Sequence, residues 1–299
     1  MANLKEIRTR IESVESTQQI TTAMRMVSAS KLRKAQLAFS TIQPYAQNLL
    51  FLTRNIANLF NKPIKNSVDI DSHEKEKALD NVLLFVFSSN RGLCGAFNSN
   101  IAKYVRELIR TKYHEHLEQG RLSIMAAGRR IGDILEKESF PITATYHDFL
   151  NKIDYKEVCL LSNELLEKFE EGTYQKIVFI YNKFKTVLTQ ELTEEQFLPI
   201  LPPEMDETNA VEEEYIMEPN KEDVARALYP KVLSIHLYRT FLGSLAAEEG
   251  ARMTAMQQAS DNASVLLKEL KITYNKERQA AITNELIEII SGSETLKNG

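Results

Sequence analysis

The chain has 299 residues, of which 43% are hydrophobic and 26% are charged, a composition typical of a folded protein with one or two domains. Its net charge is −4, and its two cysteines, Cys94 and Cys159, lack the spacing of metal ligands or of a disulfide framework. Composition therefore gives no support to a nucleic-acid-binding protein, a zinc protein or a disulfide-rich secreted domain. The first residues include no apolar signal segment, and every apolar run is far shorter than the roughly 20 residues that cross a bilayer. We therefore expect an intracellular chain whose contact with a membrane is indirect.

Residues 1–60 are predicted to form a long helix, because apolar side chains recur along them with alternating spacings of three and four residues. The first four positions of this seam are apolar, the next four are polar, and the last four are apolar again. These positions are Leu4, Ile7, Ile11, Val14, Gln18, Thr21, Arg25, Ser28, Leu32, Ala35, Phe39 and Ile42. A seam with this spacing predicts a coiled coil with a polar centre.

A polar connector, residues 61–80, separates this helix from a central α/β domain over residues 81–201. Apolar runs at 81–88, 122–128 and 176–184 are predicted to be buried strands, and helix-like amphipathic segments lie between them. The segment VLTQEL after the third run is predicted to pair back on it. Alternating strands and helices indicate a small, mostly parallel, Rossmann-like sheet.

An acidic connector, residues 202–223, leads into a C-terminal helix over residues 224–299. No proline occurs from Lys231 to Ser291, and a continuous helix of that length would measure roughly 90 Å, about twice the width of a compact domain of this size. We therefore expect an antiparallel coiled coil with the N-terminal helix, ending near Gly292. A bundle of separate amphipathic helices is the alternative.

The stretch SSNRGLCGAFN, residues 88–98, follows the first predicted strand, where phosphates commonly bind. Gly92 and Gly95 are three residues apart and no lysine–hydroxyl pair follows, so the stretch fits neither the phosphate loop of nucleotide hydrolases nor the dinucleotide fingerprint. We interpret it as a structural turn, with Cys94 packed beneath it and Asn98 capping the next helix. The alternatives are an anion held by main-chain amides and a reactive thiol at Cys94.

Other catalytic patterns are also missing from the sequence. His114 and His116 are two residues apart on a predicted helix, so they face different sides and do not form a metal pair. His236 is a lone histidine on a largely apolar helix, and we interpret it as a packed residue. We predict no catalytic site, no cofactor and no metal site in this chain.

A basic segment occupies the N-terminal helix and the connector that follows it. No acidic residue occurs between Glu15 and Asp69, whereas cationic residues are frequent there, namely Arg25, Lys31, Arg33, Lys34, Arg54, Lys62 and Lys65. At about 100° per residue, the first four spread around the helix and do not form one stripe. This arrangement favours a shaft surrounded by acidic surfaces over a helix that reads a DNA groove. A simple solvated helix, the third alternative, would carry interspersed glutamates.

Three segments closely resemble the gamma subunits of F-type ATP synthases. They are LKEIRTRIESVESTQQITTAMRMVSASKLRKAQ, SNRGLCGAFNSNI and EEGARMTAMQQASDNASVLLKELKITYNKERQAAITNELIEIISGSE. The resemblance implies that the terminal helices form an antiparallel coiled coil inside a hexamer of alternating alpha and beta subunits. It also implies a central domain beside the epsilon subunit, on a membrane ring of c subunits. Proton flow would turn the ring and the shaft, while catalysis would belong to the beta subunits.

The resemblance also implies contacts between this chain and the hexamer. Met24 matches the position that faces the acidic lever loop of beta, and Arg278 and Gln279 match the pair that bonds to the beta-subunit catch. The family positions tied to coupling are matched by Arg252, Thr283 and Glu288. We interpret four cationic residues as a positive collar beneath the lever loop, namely Arg25, Lys31, Arg33 and Lys34. Polar gaps in both helices are interpreted as permitting rotation inside the hexamer.

One residue departs from the family pattern. Asn90 stands where the family commonly has an aspartate, so an ion pair with Arg91 is not available. The chain has neither a chloroplast-type cysteine insert nor a transit peptide, which implies a bacterial enzyme with this chain peripheral to the cytoplasmic face of the inner membrane. The rival hypotheses are a nucleotide-binding enzyme and a standalone coiled-coil scaffold or tether.

Overall fold

A computed structural model describes residues 2–54, 80–147, 153–187, 189–200, 218 and 220–297. The predicted connectors 61–80 and 202–223 therefore lie largely outside the described residues. Helices and strands follow in the order α1 (Ala2–Arg54), β1 (Val82–Phe87), α2 (Phe97–Thr111), α3 (His114–Glu118), β2 (Leu122–Ala127), α4 (Arg129–Lys137), β3 (Ile142–Tyr146), α5 (Tyr155–Glu170), β4 (Lys176–Phe184), β5 (Gln190–Leu198) and α6 (Lys221–Lys297).

The chain divides into two compact units, and both long helices contribute to each of them. The helical unit comprises Met1–Ala29 and Arg252–Gly299, and the sheet unit comprises Ser30–Ala251. The predicted mixture of long terminal helices and a central α/β sheet is confirmed.

The sheet has five strands in the order β3-β2-β1-β4-β5. Strands β3, β2, β1 and β4 run parallel to one another, whereas β5 pairs antiparallel with β4. The predicted mostly parallel sheet and the predicted return of VLTQEL onto the third run are thus confirmed. The sequence reading missed β3, a five-residue edge strand whose side chains alternate between half-buried and exposed.

Both faces of the sheet are covered, which explains why β1 is an unbroken apolar run with all six residues buried. On one face, Leu84 and Val86 of β1 contact α2 and α4. On the other face, Phe85 and Phe87 of β1 contact α5 and the first part of α6, where Phe241 is fully buried 4.9 Å from the Phe87 ring. The N-terminal part of α6 is therefore built into the core of the sheet unit.

The predicted seam of α1 is buried, as the coiled-coil pattern requires. In the helical unit, positions 4, 7, 11, 14, 18, 21, 25 and 28 are each half-buried or buried. In the sheet unit the seam continues through Leu32 and Ala35, and Ala46 and Leu49 pack against Val232 and Ile235 of α6. Periodicity therefore identified the buried face of α1 correctly in both units.

Helix termini follow local side-chain chemistry. Asp154 caps α5 by accepting a hydrogen bond from the Lys156 amide at 3.2 Å, and Asn220 caps α6 through the Asp223 amide at 2.8 Å. The prediction that the last helix ends near Gly292 is wrong, because α6 continues to Lys297. A glycine inside a helix lowers the stability of the helix by only about 1 kcal/mol relative to alanine. The main-chain hydrogen bonds of the helix that continues beyond Gly292 offset this loss.

The described residues include neither a membrane-spanning helix nor a cluster of metal ligands. No helix among them combines the length and the apolar character needed to span a bilayer. Within the same residues, His, Cys, Asp and Glu side chains form no group of three or more that could hold a metal ion.

Candidate functional site

The glycine-rich turn after β1 is filled by its own side chains. Cys94 is buried, and the Asn98 amide donates to Ser89 Oγ at 2.8 Å and to Cys94 Sγ at 3.2 Å. Asn98 Oδ1 accepts from the Ser89 main-chain amide at 3.2 Å. The prediction that Asn98 caps α2 is therefore wrong, because the N-cap position is Ala96 and the Asn98 side chain points back into the turn.

The two glycines of this turn, Gly92 and Gly95, are required for different structural reasons. Gly95 has φ of 60°, a left-handed conformation that glycine adopts without strain. Gly92 has an ordinary φ, but a Cβ there would lie 3.2 Å from Arg130 Nη2, so the turn packs against the start of α4. Both residues thus fit a tight strand-to-helix connection.

Asn90 ties this turn to two neighbouring loops at the carboxyl edge of the sheet. Its Nδ2 donates to the His147 carbonyl after β3 at 2.6 Å, and its Oδ1 accepts from the Arg129 amide at the start of α4 at 3.1 Å. Gly128 has φ of 111°, and a Cβ there would lie 2.6 Å from Ser88 Oγ. The loops after β1, β2 and β3 therefore lie against one another with no room for a further atom at Gly128.

The helical unit contains an antiparallel helix pair joined by polar contacts. Thr22 Oγ1 lies 3.0 Å from Ser260 Oγ, and Lys271 Nζ lies 2.9 Å from Glu15 Oε1. Arg25 Nη1 donates to Gln257 Oε1 at 2.6 Å. Partner numbers on α6 fall as numbers on α1 rise, which confirms the predicted antiparallel coiled coil. Arg25, in the polar centre of the seam, is thus hydrogen-bonded across the pair, and polar contacts of this kind can fix the register of two helices.

The predicted collar residues differ in how much of their charge is exposed. The Arg25 guanidinium is bound to α6, and Lys31 Nζ lies 3.5 Å from Glu249 Oε1, whose side chain is almost fully buried. Arg33 and Lys34 are exposed. Met24 is half-buried in the helical unit.

The predicted contact residues of α6 fall in two regions of the helical unit. The Arg252 side chain is buried. The others lie on the exposed last part of α6, namely Arg278, Gln279, Thr283 and Glu288. Thr283 Oγ1 donates to the Gln279 carbonyl at 2.9 Å, so these two residues share one face. At about 100° per residue, Glu288 lies on the opposite face from Gln279.

The same part of α6 exposes large apolar side chains. Every residue from 282 to 290 is exposed. Five of them are large and apolar, with exposed fractions between 48% and 63%, namely Ile282, Leu286, Ile287, Ile289 and Ile290. A cluster of exposed apolar side chains of this kind marks an interaction surface.

The sequence reading missed one polar cluster in the sheet unit. Tyr181 donates to Glu195 Oε2 at 2.6 Å, and His236 Nε2 lies 3.1 Å from Glu195 Oε1. Burial and the hydrogen bond to Glu195 raise the pKa of Tyr181. His236, which we interpreted as a packed residue, is half-buried and contacts Glu195. The two residues are 41 positions apart in sequence, so no local sequence pattern could have predicted this contact.

Known proteins similar to this chain agree with the architecture. The family model described as ATP synthase matches residues 3–296. The ATP synthase gamma chain of Flavobacterium johnsoniae is 43% identical over 296 residues, covering 99% of each chain. The gamma chain of Chloroherpeton thalassium is 41% identical over 306 residues, again covering 99% of each chain.

Two solved structures share the fold. A chain in the OSCP/F1/c-ring structure of Euglena gracilis mitochondrial ATP synthase has a TM-score of 0.68 at 18% identity, covering 99% of this chain and 95% of that chain. A chain in the rotor structure of the same synthase has a TM-score of 0.63 at 17% identity, covering 94% and 99%. Neither a nucleotide-binding enzyme nor a standalone tether is favoured by these matches. The chain belongs to the family of ATP synthase gamma chains, the rotor subunits of F-type ATP synthases.

Proposed function

We propose that this rotor chain couples proton-driven rotation of a membrane ring of c subunits to ATP synthesis, and in reverse to ATP hydrolysis, at the beta subunits of a hexamer of alpha and beta subunits. The observation that carries the proposal is the exposed apolar end of α6, residues 282–290. Burying apolar surface is worth about 25 cal/mol per Å², so such a cluster favours a partner that encloses it.

Polar side chains near that apolar end supply specific contacts in the proposal. Arg278 is exposed, and no side chain of the described residues pairs with it. A guanidinium can hold a carboxylate through two parallel hydrogen bonds, which fits the role of a catch partner on the beta subunit. Gln279 and Thr283 lie on one face of α6 and extend the contact with the beta-subunit catch. Glu288 lies on the opposite face of α6 and contacts a different part of the hexamer.

The lever-loop contact is assigned to α1. Met24 offers a half-buried apolar side chain, and Arg33 and Lys34 offer exposed positive charge to an acidic loop of the beta subunit. Lys31 contributes less in this proposal, because Glu249 already neutralises it. Arg25 and the buried Arg252 act through the helix pair itself.

The proposal places the sheet unit beside the epsilon subunit and on the c-ring, at the cytoplasmic face of a bacterial inner membrane. Its support is the bacterial origin of the gamma chains that are about 40% identical to this chain over nearly its whole length. Contact with the lipid is indirect in this arrangement, and no nucleic acid takes part.

The decisive experiment is co-expression of alpha and beta subunits with and without this chain, followed by gel filtration and an ATPase assay. We expect a stable complex of one chain per hexamer, and steady-state ATPase activity that depends on the chain. Alpha and beta subunits that assemble and hydrolyse ATP equally well without it would overturn the proposal.

A matched pair of variants tests the apolar end directly. Leu286→Asn with Ile289→Asn removes two exposed apolar side chains from the end of α6, and we expect weaker retention of the chain by the hexamer. Leu160→Asn, which removes an even more exposed leucine from α5, is the control and should leave retention unchanged. Equal retention of all variants would contradict enclosure of the α6 end.

A further inference from the structure

The sheet unit contains a cavity that the rotor contacts do not use. It has a volume of about 340 Å³ and lies between α1, α6 and the strands β4 and β5. This volume falls in the range of small-molecule sites, about 300–1,000 Å³. Its walls are largely apolar, with Phe39 and Leu49 from α1 facing Val232 and Ile235 from α6.

A polar cluster around Glu195 lies on one wall of this cavity. Both carboxylate oxygens of Glu195 are already engaged, one by the Tyr181 hydroxyl at 2.6 Å and the other by His236 Nε2 at 3.1 Å. Lys183 adds a further positive charge at the rim. Glu195, the carboxylate among the described lining residues, is therefore hydrogen-bonded to Tyr181 and His236 and not to an arginine.

Arg239 is the lining residue with unused hydrogen-bonding capacity. Its guanidinium lies 5.5 Å from the centroid of the Phe39 ring, and its Nε is buried with no acceptor among the described residues. A buried donor on a charged group is costly when it lacks an acceptor, and the cost is removed when an anion supplies one. A cation–π contact with Phe39 holds the guanidinium beside the apolar wall.

We propose that this cavity binds a small organic anion with an apolar body, such as a medium-chain carboxylate. The head group accepts hydrogen bonds from Arg239, and the apolar body lies along the wall formed by Phe39, Leu49 and Val232. A two-chain lipid is too large for this volume. A nucleoside triphosphate carries more negative charge than the lining can balance.

The test is isothermal titration calorimetry of the full chain with octanoate, with octanol as the neutral probe of the same length. We expect one octanoate site per chain and at least tenfold weaker binding of octanol. Arg239→Leu should weaken octanoate binding at least tenfold, whereas Arg110→Leu, which removes an exposed arginine from α2, should not change it. The proposal would be overturned if octanol bound as tightly as octanoate, or if Arg239→Leu bound octanoate with wild-type affinity. It would also be overturned if neither compound bound to the chain.

A second variant keeps the test decisive if Arg239→Leu does not fold. Gly243 lines the cavity, and a Cβ added there meets no heavy atom within 4 Å. Gly243→Leu should therefore fill the space, abolish octanoate binding and raise the melting temperature of the unliganded chain. Wild-type affinity in this variant would show that octanoate binds elsewhere, and the proposal would fail.

Discussion

The Asn90 side chain donates to the main-chain carbonyl of His147 at 2.6 Å while accepting from the Arg129 amide at 3.1 Å. One amide group thereby links the loops that follow three neighbouring parallel strands. An ionised aspartate at position 90 could accept a hydrogen bond from the Arg129 amide but could not donate one to the His147 carbonyl, so only the asparagine side chain makes both bonds.

Asn90→Asp should destabilise the sheet unit. The ionised carboxylate would face the His147 carbonyl without a proton between them, and the lost hydrogen bond corresponds to about 1–3 kcal/mol of unfolding free energy. Thermal melting of the full chain measures this effect. Asn100→Asp is the control, because Asn100 is exposed in the first turn of α2, where a negative charge is favourable. Identical melting temperatures for Asn90→Asp and the wild type would show that the link contributes nothing.

Two glycines inside helices should respond oppositely to alanine. A Cβ at Gly243 of α6 meets no heavy atom within 4 Å, so Gly243→Ala should gain about 0.5–1 kcal/mol from helix propensity. A Cβ at Gly132 of α4 would lie 3.3 Å from Thr145 Cγ2, so Gly132→Ala should gain nothing or lose stability. Urea unfolding of both variants checks the difference, and equal gains would contradict it.

Stability should depend on pH through Glu195. Burial alone would raise the pKa of Glu195, but hydrogen bonds from His236 and Tyr181, with the charges of His236 and Lys183, lower it to about 2. Because the folded-state pKa lies below the ordinary value of 4.5, the carboxylate stabilises the fold above pH 4.5, and this contribution is lost as the pH falls toward 2.

The Glu195 contribution can be measured as a difference between variants. The side chain is 39% exposed, so solvent screening limits the effect to about 1–2 kcal/mol. Glu195→Gln should be less stable than the wild type at pH 7, and the gap should close between pH 4.5 and pH 2. Glu136→Gln changes an exposed carboxylate on α4 and should show no such convergence. A gap that stays constant with pH would contradict the assignment to Glu195.

The local pattern of apolar residues was enough to predict the buried face of a long helix and a buried strand. The three-four spacing from Leu4 to Ile42 identified the buried face of α1, and the apolar run of β1 identified a strand covered on both sides. The edge strand β3 escaped prediction because its five residues carry no continuous apolar run, only an alternation too short to stand out.

Contacts that depend on tertiary packing could not be predicted from sequence. Glu195 meets His236 only because α6 packs across β5, and the Arg25–Gln257 bond joins residues 232 positions apart. Asn98 had the right residue type for a helix cap, yet Ser89 and Cys94 engage its amide. The choice among several partners for one side chain is set by packing, which local sequence does not contain.

Met24→Lys should weaken the coupling between rotation and ATP hydrolysis in the assembled synthase. In the proposed rotor arrangement, a lysine at this position would lie beside an acidic loop of the beta subunit and form an attraction that resists rotation, because a half-buried charge pair is screened less than an exposed one. We expect fewer protons pumped per ATP hydrolysed in membrane vesicles. Met26→Lys places the same charge on an exposed position two residues away and serves as the control. An equal loss in both variants would remove the specific role of Met24.

Arg278→Ala should slow steady-state ATP hydrolysis by the assembled complex. In the proposed contact with the beta-subunit catch, losing one charge-assisted hydrogen bond of about 1.5 kcal/mol that forms only at one stage of rotation corresponds to about a tenfold lower rate. Lys276→Ala removes an exposed charge from a neighbouring position of α6 and should leave turnover near the wild-type rate. Because both side chains are exposed in the helical unit, neither change should lower the melting temperature of the isolated chain. Slow turnover with unchanged stability therefore separates a contact with the beta subunit from a folding defect, and wild-type turnover in Arg278→Ala would remove this residue from the catch.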